Sequence, residues 1–153
     1  MEKLNSDRVF CYKLSNSRQN QIINKPLLEE VYQSWKESWF ELFEEIDKTD
    51  YCSSDEFSRQ DYFLVMFVDN DIAGTIGFRS VDLSTEVGRD DSYMRPWPTS
   101  FIKNNRDKKI LLTSGFNLVP KYRGRFMGIP SMFIFGSFIM KQFLRSDSDN
   151  FIT

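Results

Sequence analysis

The chain has 153 residues, 41% of them apolar and 16% aromatic with fifteen Phe, a core-forming load that excludes a disordered chain. Lys and Arg number 20 against 22 Asp and Glu, so the net charge of −2 disfavours a nucleic-acid partner. Histidine is absent, which excludes a Ser–His–Asp or Cys–His nucleophile and zinc sites built on imidazole; proton transfer must use Glu, Asp, Tyr, Cys, Lys, water or the substrate.

Residues Arg8 to Leu14 alternate and predict a first strand. The polar stretch Ser15 to Asn24 reads as a loop, and Pro26 suits the first turn of a helix. Leu28, Val31, Trp35, Trp39, Leu42 and Ile46 then recur at helical spacing, opposite Glu30, Lys36, Glu37, Glu41 and Glu44. Asp47 to Gln60 is a connection with a helical turn at Glu56 to Gln60. Tyr62 to Val68 is continuously apolar and predicts a central strand covered on both faces. Asp69-Asn70-Asp71 is a turn, and Ile72 to Leu83 is the antiparallel return, where Gly74 and Gly77 mark a bulge or a close backbone approach.

From Ser84 to Lys109 no periodicity remains, and Pro96-Trp97-Pro98 predicts a long loop. Tyr93 and Trp97 pack that loop on the body or cover a ligand. Ile110 to Val119 is the next strand, with Gly115 as a bulge. Gly128 to Leu144 predicts a helix, apolar nearly all round and therefore buried against a sheet, with Pro130 in its first turn. Ser146 to Asn150 is a turn and Phe151-Ile152-Thr153 opens a last strand.

Cys11 and Cys52 make neither a metal-spaced pair nor a disulfide framework and read as structural or incidental. Residues Met1 to Asp7 lack the apolar core of a signal peptide, and the longest apolar run, Met132 to Leu144, is too short for a bilayer. The expectation is a cytoplasmic protein with no metal and no membrane or nucleic-acid partner.

One stretch points to a chemistry. Asn117-Leu118-Val119-Pro120-Lys121-Tyr122-Arg123-Gly124-Arg125-Phe126-Met127-Gly128-Ile129 is a strand end, an Arg/Gly loop and the start of an apolar helix. Such a unit can bind an anion with unpaired N–H groups at the positive end of the helix dipole. In its order of elements and in this loop the chain resembles the GCN5-related N-acetyltransferases (GNAT), whose loop reads Gln/Arg-x-x-Gly-x-Gly/Ala. Arg123 fills the first position and Gly128 the last. Phe126 stands where the middle Gly is usual, so its side chain must point away from a bound phosphate. Asp55-Glu56-Phe57, Tyr62, Ala73-Gly74-Thr75 and Arg79 are also similar to the acyl-homoserine-lactone and N-acyl amino acid synthases of that fold.

The resemblance implies a single, mixed α/β domain over residues 1–153, with a mostly antiparallel central sheet flanked by helices. The family continues through further strands and a helix, so the domain is expected to be partial, ending before the second half of the cofactor cleft. The cofactor implied is acetyl-CoA or a longer acyl-CoA, with acyl carrier protein as the other donor. The backbone of Leu118 and Val119 would meet the pantetheine amides, and Arg123, Gly124, Arg125, Met127 and Gly128 the pyrophosphate, where Arg adds charge-assisted bonds. The activity implied is acyl transfer to a small amine-type acceptor. No general base stands out; Asp55, Glu56, Asp82 and Glu86 read as solvated carboxylates. The other reading is a non-catalytic interaction domain with a degenerate fold, forming a homodimer through its incomplete sheet.

Overall fold

A computed structural model describes residues 9–46, 48, 54–126 and 128–152, and for Leu42, Phe43 and Ile46 the backbone alone. Arg8, Cys52, Met127 and much of the 47–60 connection therefore lie outside the described residues.

β1 (Val9–Ser15) is followed by α1 (Arg18–Ile23), where a loop was expected. The Ser17 hydroxyl accepts from the Asn20 N–H and starts this helix. Its Ile22 and Ile23 are exposed, so it leaves no apolar stripe for periodicity to detect. α2 (Lys25–Ile46) has Pro26 in its first turn. It buries Val31 and Trp35, half-buries Leu28 and Trp39, and exposes Glu30, Glu37, Glu41 and Glu44. After the one-turn α3 (Asp55–Ser58) comes β2 (Tyr62–Val68), buried at every residue but Phe67. Asp69, at φ 56°, takes the left-handed turn conformation that Asp tolerates, and β3 (Asp71–Asp82) returns.

The segment from 84 to 109 is not structureless. Thr85 caps α4 (Glu86–Arg89), Asp91 caps a 3-10 turn at Ser92–Met94, and α5 (Thr99–Asn104) follows. Elements this short complete too few turns to show a period. Tyr93, Trp97, Phe101 and Ile102 pack on a buried cluster of Val81, Leu83, Met94, Ile110 and Leu112, so Trp97 belongs to the body of the fold.

β4 (Lys109–Leu118) leads through a 3-10 turn at Pro120–Tyr122 into a small ribbon of β5 (Arg125–Phe126) and β6 (Ile129–Pro130). α6 (Ser131–Arg145) and β7 (Asn150–Ile152) end the described chain. The helix begins at Ser131 rather than Gly128, because Gly128 has φ +78° and Ile129-Pro130 pairs with Arg125-Phe126.

The main sheet has the order β1-β2-β3-β4-β7, antiparallel except for the parallel β4–β7 pair. Alternation along β2 assigns its faces. Leu64 and Met66 join Ile76, Phe78, Leu111 and the α6 residues Phe135 and Ile139. Phe63 and Val65 join Leu14, Val31, Trp35 and Phe57 on the α2 side. The sheet is thus a middle layer between α6 and α2.

Gly77 is required by a close approach: a Cβ there would stand 2.5 Å from Gln60 Cγ, and β3 shifts register against β4 between Thr75 and Gly77. α6 packs against the sheet as expected, through Phe135 and Ile139 with Ile134, Phe138 and Phe143 beside them, while Met132, Phe133, Met140 and Leu144 on its outer face are exposed. Phe135 is fully buried in that contact, so Phe135→Ala is expected to cost about 3–5 kcal/mol in urea unfolding.

Candidate functional site

β4 is paired along one edge with β3, but β7 pairs only with Ile110, Leu111 and Leu112 on the other. Beyond Leu112 the described residues supply no strand on that edge. Gly115 lies beyond the last of these pairs. It has φ +63°, and a Cβ on it would lie 2.6 Å from Trp35 Nε1, so the α2 side requires glycine there.

A cleft follows this free edge in two parts that share Trp39, Phe116 and Met132. One part, of about 490 Å³, lies between α2 (Ser38, Glu41, Glu45), the end of β4 (Asn117, Leu118) and the loop at Arg123 and Gly124. The other, of about 530 Å³, is walled by Ile76, Gly136, Ile139, Met140 and Phe151 and reaches Ser114. Asn117 is buried at the wall of the first part. Its Nδ2 donates to the Ser34 carbonyl at 3.2 Å, while its Oδ1 has no partner in the protein.

Of the loop residues singled out by sequence, Leu118, Arg123 and Gly124 line one end of this cleft, Val119, Arg125 and Gly128 do not, and Met127 lies outside the described residues. Leu118 and Val119 close β4. The Val119 N–H donates to the Ala73 carbonyl at 3.0 Å, and the Leu118 carbonyl accepts from Arg123 Nε at 2.7 Å. Arg125 Nη1 donates to the Gly128 carbonyl at 2.8 Å, and the first N–H of α6, on Ser131, donates to the Gly124 carbonyl at 2.8 Å. Gly124 has φ +123° and Gly128 φ +78°, conformations that side chains disfavour. Phe126 packs against the α6-side core and lines neither part of the cleft. Lys121 Nζ and the Tyr122 hydroxyl both donate to Asp71 Oδ2, at 2.6 and 3.0 Å, tying the base of the loop to the β2–β3 turn.

On the opposite face of β4 lies a polar cluster that sequence reasoning reached only in part, through Glu56, Arg79 and Tyr93. Gln60, buried over Gly77, directs its Nε2 at the Glu56 carbonyl, the Tyr93 hydroxyl and Ser114 Oγ, each at 2.7 Å. The Tyr93 hydroxyl donates to Glu56 Oε2 at 2.7 Å and lies 3.4 Å from Ser114 Oγ. Arg59 pairs with Glu56 and donates to Ser92 Oγ, and its guanidinium stands 4.7 Å over the Tyr93 ring. Burial raises the Tyr93 phenol above its ordinary value, with the Glu56 carboxylate beside it acting in the same direction, so it remains protonated at neutral pH. Arg79 holds Asp91 through Nε at 2.9 Å and Nη2 at 2.6 Å. Nothing in one dimension marks Gln60 or Ser114, which meet across 54 positions.

The remaining candidates stand apart. Asp82 accepts from the Ser84 N–H and hydroxyl and closes a turn, and Glu86 lies exposed in the first turn of α4. Asp55 lies exposed in α3. Burial pushes the Cys11 thiol up to about 12, far from a reactive thiolate. No described helix is long and apolar enough to cross a membrane.

No family model and no curated protein matches this sequence. Among solved structures, an aminoglycoside acetyltransferase from an uncultured soil metagenomic sample, in complex with sisomicin, is similar over 95% of this chain and 76% of its own, with a TM-score of 0.50 and 9% identity. The same enzyme in complex with trehalose gives 0.49 and 10% over the same shares. At such identity the likeness to the sisomicin complex is one of fold. The mixed, mostly antiparallel sheet between helices is the GNAT-like arrangement that the sequence led us to expect.

The Arg79–Asp91 pair has a pH signature. Burial alone would raise the Asp91 carboxyl, but hydrogen bonds from Arg79 and the Tyr93 N–H, with the charges of Arg79 and Arg59, hold it below the ordinary 3.8. The pair therefore stabilises the fold fully above that value, and the contribution is lost as pH falls through the lower, folded one. Asp91→Asn is expected to cost about 1.5–3 kcal/mol in urea unfolding at pH 7. Because the variant lacks the titrating group, the deficit shrinks as the pH is lowered below about 4.

Proposed function

We propose that this protein is an acyltransferase that moves an acyl group from a CoA thioester to an amine. The observation that carries the reading is the cleft along the half-paired β4, with a cationic, glycine-containing loop at one end and apolar walls at the other. Acyl transfer asks mainly for placement: an amine nitrogen attacks the thioester carbonyl carbon, the C–N bond forms, and the C–S bond breaks with its electron pair on sulfur. A strand edge with no neighbour among the described residues offers backbone groups to an extended pantetheine arm. The pyrophosphate would meet Arg123, Gly124, Arg125, Met127 and Gly128, with Arg123 exchanging its bond to the Leu118 carbonyl for the phosphate.

The apolar part of the cleft supports acyl groups longer than acetyl. Gly136 faces it, with no atom within 4 Å of the place a Cβ would take. This favours the branch of the fold that works with long chains on CoA or a carrier protein. A melt with acetyl-CoA and decanoyl-CoA tests the reading. A ligand at a hundred times its Kd adds about 2.7 kcal/mol, which raises the Tm by several degrees. The combined Arg123→Ala and Arg125→Ala variant is expected to lose most of that rise. A folded protein indifferent to both thioesters would refute binding of free acyl-CoA.

A second reading has its own observation. Phe133 and Leu144 on α6 are 72% and 77% exposed, beside Met132 and Met140. Such a patch suits an interaction domain that self-associates. In that case sedimentation would show a dimer at micromolar concentration, and Phe133→Ser would return it to monomer.

A further inference from the structure

Glycine in the middle of a helix weakens it relative to alanine, because the backbone loses more freedom on folding. Elsewhere in this chain glycine is required by a close neighbour, as at Gly74 and Gly77, or by a positive φ, as at Gly124 and Gly128. Gly136, inside α6, has neither reason. Its φ is not positive. Beyond its chain neighbours and the backbone of its own helix, no described atom lies within 4 Å of the place a Cβ would take. The described residues would accept a side chain here.

The space left open belongs to the apolar part of the cleft. Met132, Gly136 and Met140 recur every four residues, so they share one face of α6. That face lines the groove together with Thr113 to Phe116 of β4, a stretch of roughly 10 Å of strand. At Phe116 the groove runs on into the part that reaches Arg123 and Gly124, with Trp39 and Met132 also common to both. In the other direction β4 pairs with β7 at Leu111 and Leu112. Phe151 of β7 lines the groove there and stacks on Phe143, with the ring centroids 5.4 Å apart. The groove is therefore continuous with the donor loop at one end and bordered by the junction of two strands at the other.

We infer that Gly136 determines acyl specificity: it keeps open the strip of cleft that holds the hydrocarbon tail of a medium-chain acyl thioester, with the thioester towards Phe116 and the tail running towards Phe151. The inference rests on the acyltransferase reading and names the acyl class of its donor. The occupant is selected by continuity, since a donor held at the Arg123 end extends along β4 into this strip. It is selected also by chemistry. Ile76, Phe116, Ile139 and Phe151 present carbon and no hydrogen-bonding side chain, so they favour a hydrocarbon over water. Met132 and Met140 are unbranched and adaptable, which suits a flexible chain. A larger residue at 136 would take up the volume between these two methionines.

The test titrates wild type, Gly136→Ala and Gly136→Leu with acetyl-CoA, hexanoyl-CoA and decanoyl-CoA by calorimetry. Ala and Leu are better helix formers than Gly and the space at 136 is open, so both variants are expected to fold. Full burial of a methylene tightens binding about fourfold, and a groove that covers a chain on one side gives about twofold. Over the added length of the chain, wild type should bind decanoyl-CoA on the order of 100-fold more tightly than acetyl-CoA. Gly136→Leu should cut that preference about tenfold or more, with acetyl-CoA held within about threefold of wild type, and Gly136→Ala should fall between. Leucine adds apolar surface, so non-specific adsorption of the tail would not weaken in this variant. The inference is overturned if wild type binds the three thioesters alike, if Gly136→Leu keeps the decanoyl preference, or if it loses all three together. A preference that persists while the same variant loses a dimer seen by sedimentation would overturn it too, by assigning the space to a second copy. A folded wild type that binds none of the three would remove the acyltransferase reading itself, and this inference with it, before any variant is made.

Discussion

A strand inside a sheet normally satisfies its backbone on both edges, and β4 does so for only three residues on one of them. Gly115 takes a left-handed conformation against the indole of Trp35, and the strand changes course there. Beyond it the chain turns through Pro120–Tyr122 and comes back as α6. The cleft lies along the β4 residues beyond Leu112, with Arg123 and Gly124 at one end of it.

The two faces of the sheet then acquire different characters. On the α6 side the core is continuous and apolar, from Leu64 and Phe78 to Phe135. On the other side two apolar clusters, one under α2 and one under the 84–109 segment, are separated by a polar seam at Gln60, Arg79, Tyr93 and Ser114. Burying such groups is costly unless they are paired, and here most are paired with each other. Gly77 provides the space that lets Gln60 cross the strand and hold the seam together.

Much of this was legible in one dimension. β2 was placed residue for residue, because seven successive apolar side chains admit little else, and α2 was marked by Pro26 and its aromatic stripe. The GNAT-like order of elements followed from those pieces together with the Arg123–Gly128 spacing. What escaped was structure made by capping rather than by pattern: Ser17, Thr85 and Asp91 each begin a helix or turn of three to six residues. The outer face of α6 is exposed although its residues are apolar, while the face expected against the sheet lies there. At the candidate site the loop was visible as a motif, whereas the Tyr93–Gln60–Ser114 seam exists only once three distant segments are folded together.

The register of the sheet also implies an order of loosening. β2 and β3 are joined by a two-residue turn, and β3 meets β4 across a compact segment, whereas β1 finds β2 only after α1, α2 and α3 and β7 reaches β4 only after the whole of α6. The strands with the longest closures are the two at the margins, and β7 contributes three rungs. Amide protons on β7 should therefore exchange with solvent through small local openings, while those at the β2–β3 seam should exchange only when the whole domain opens.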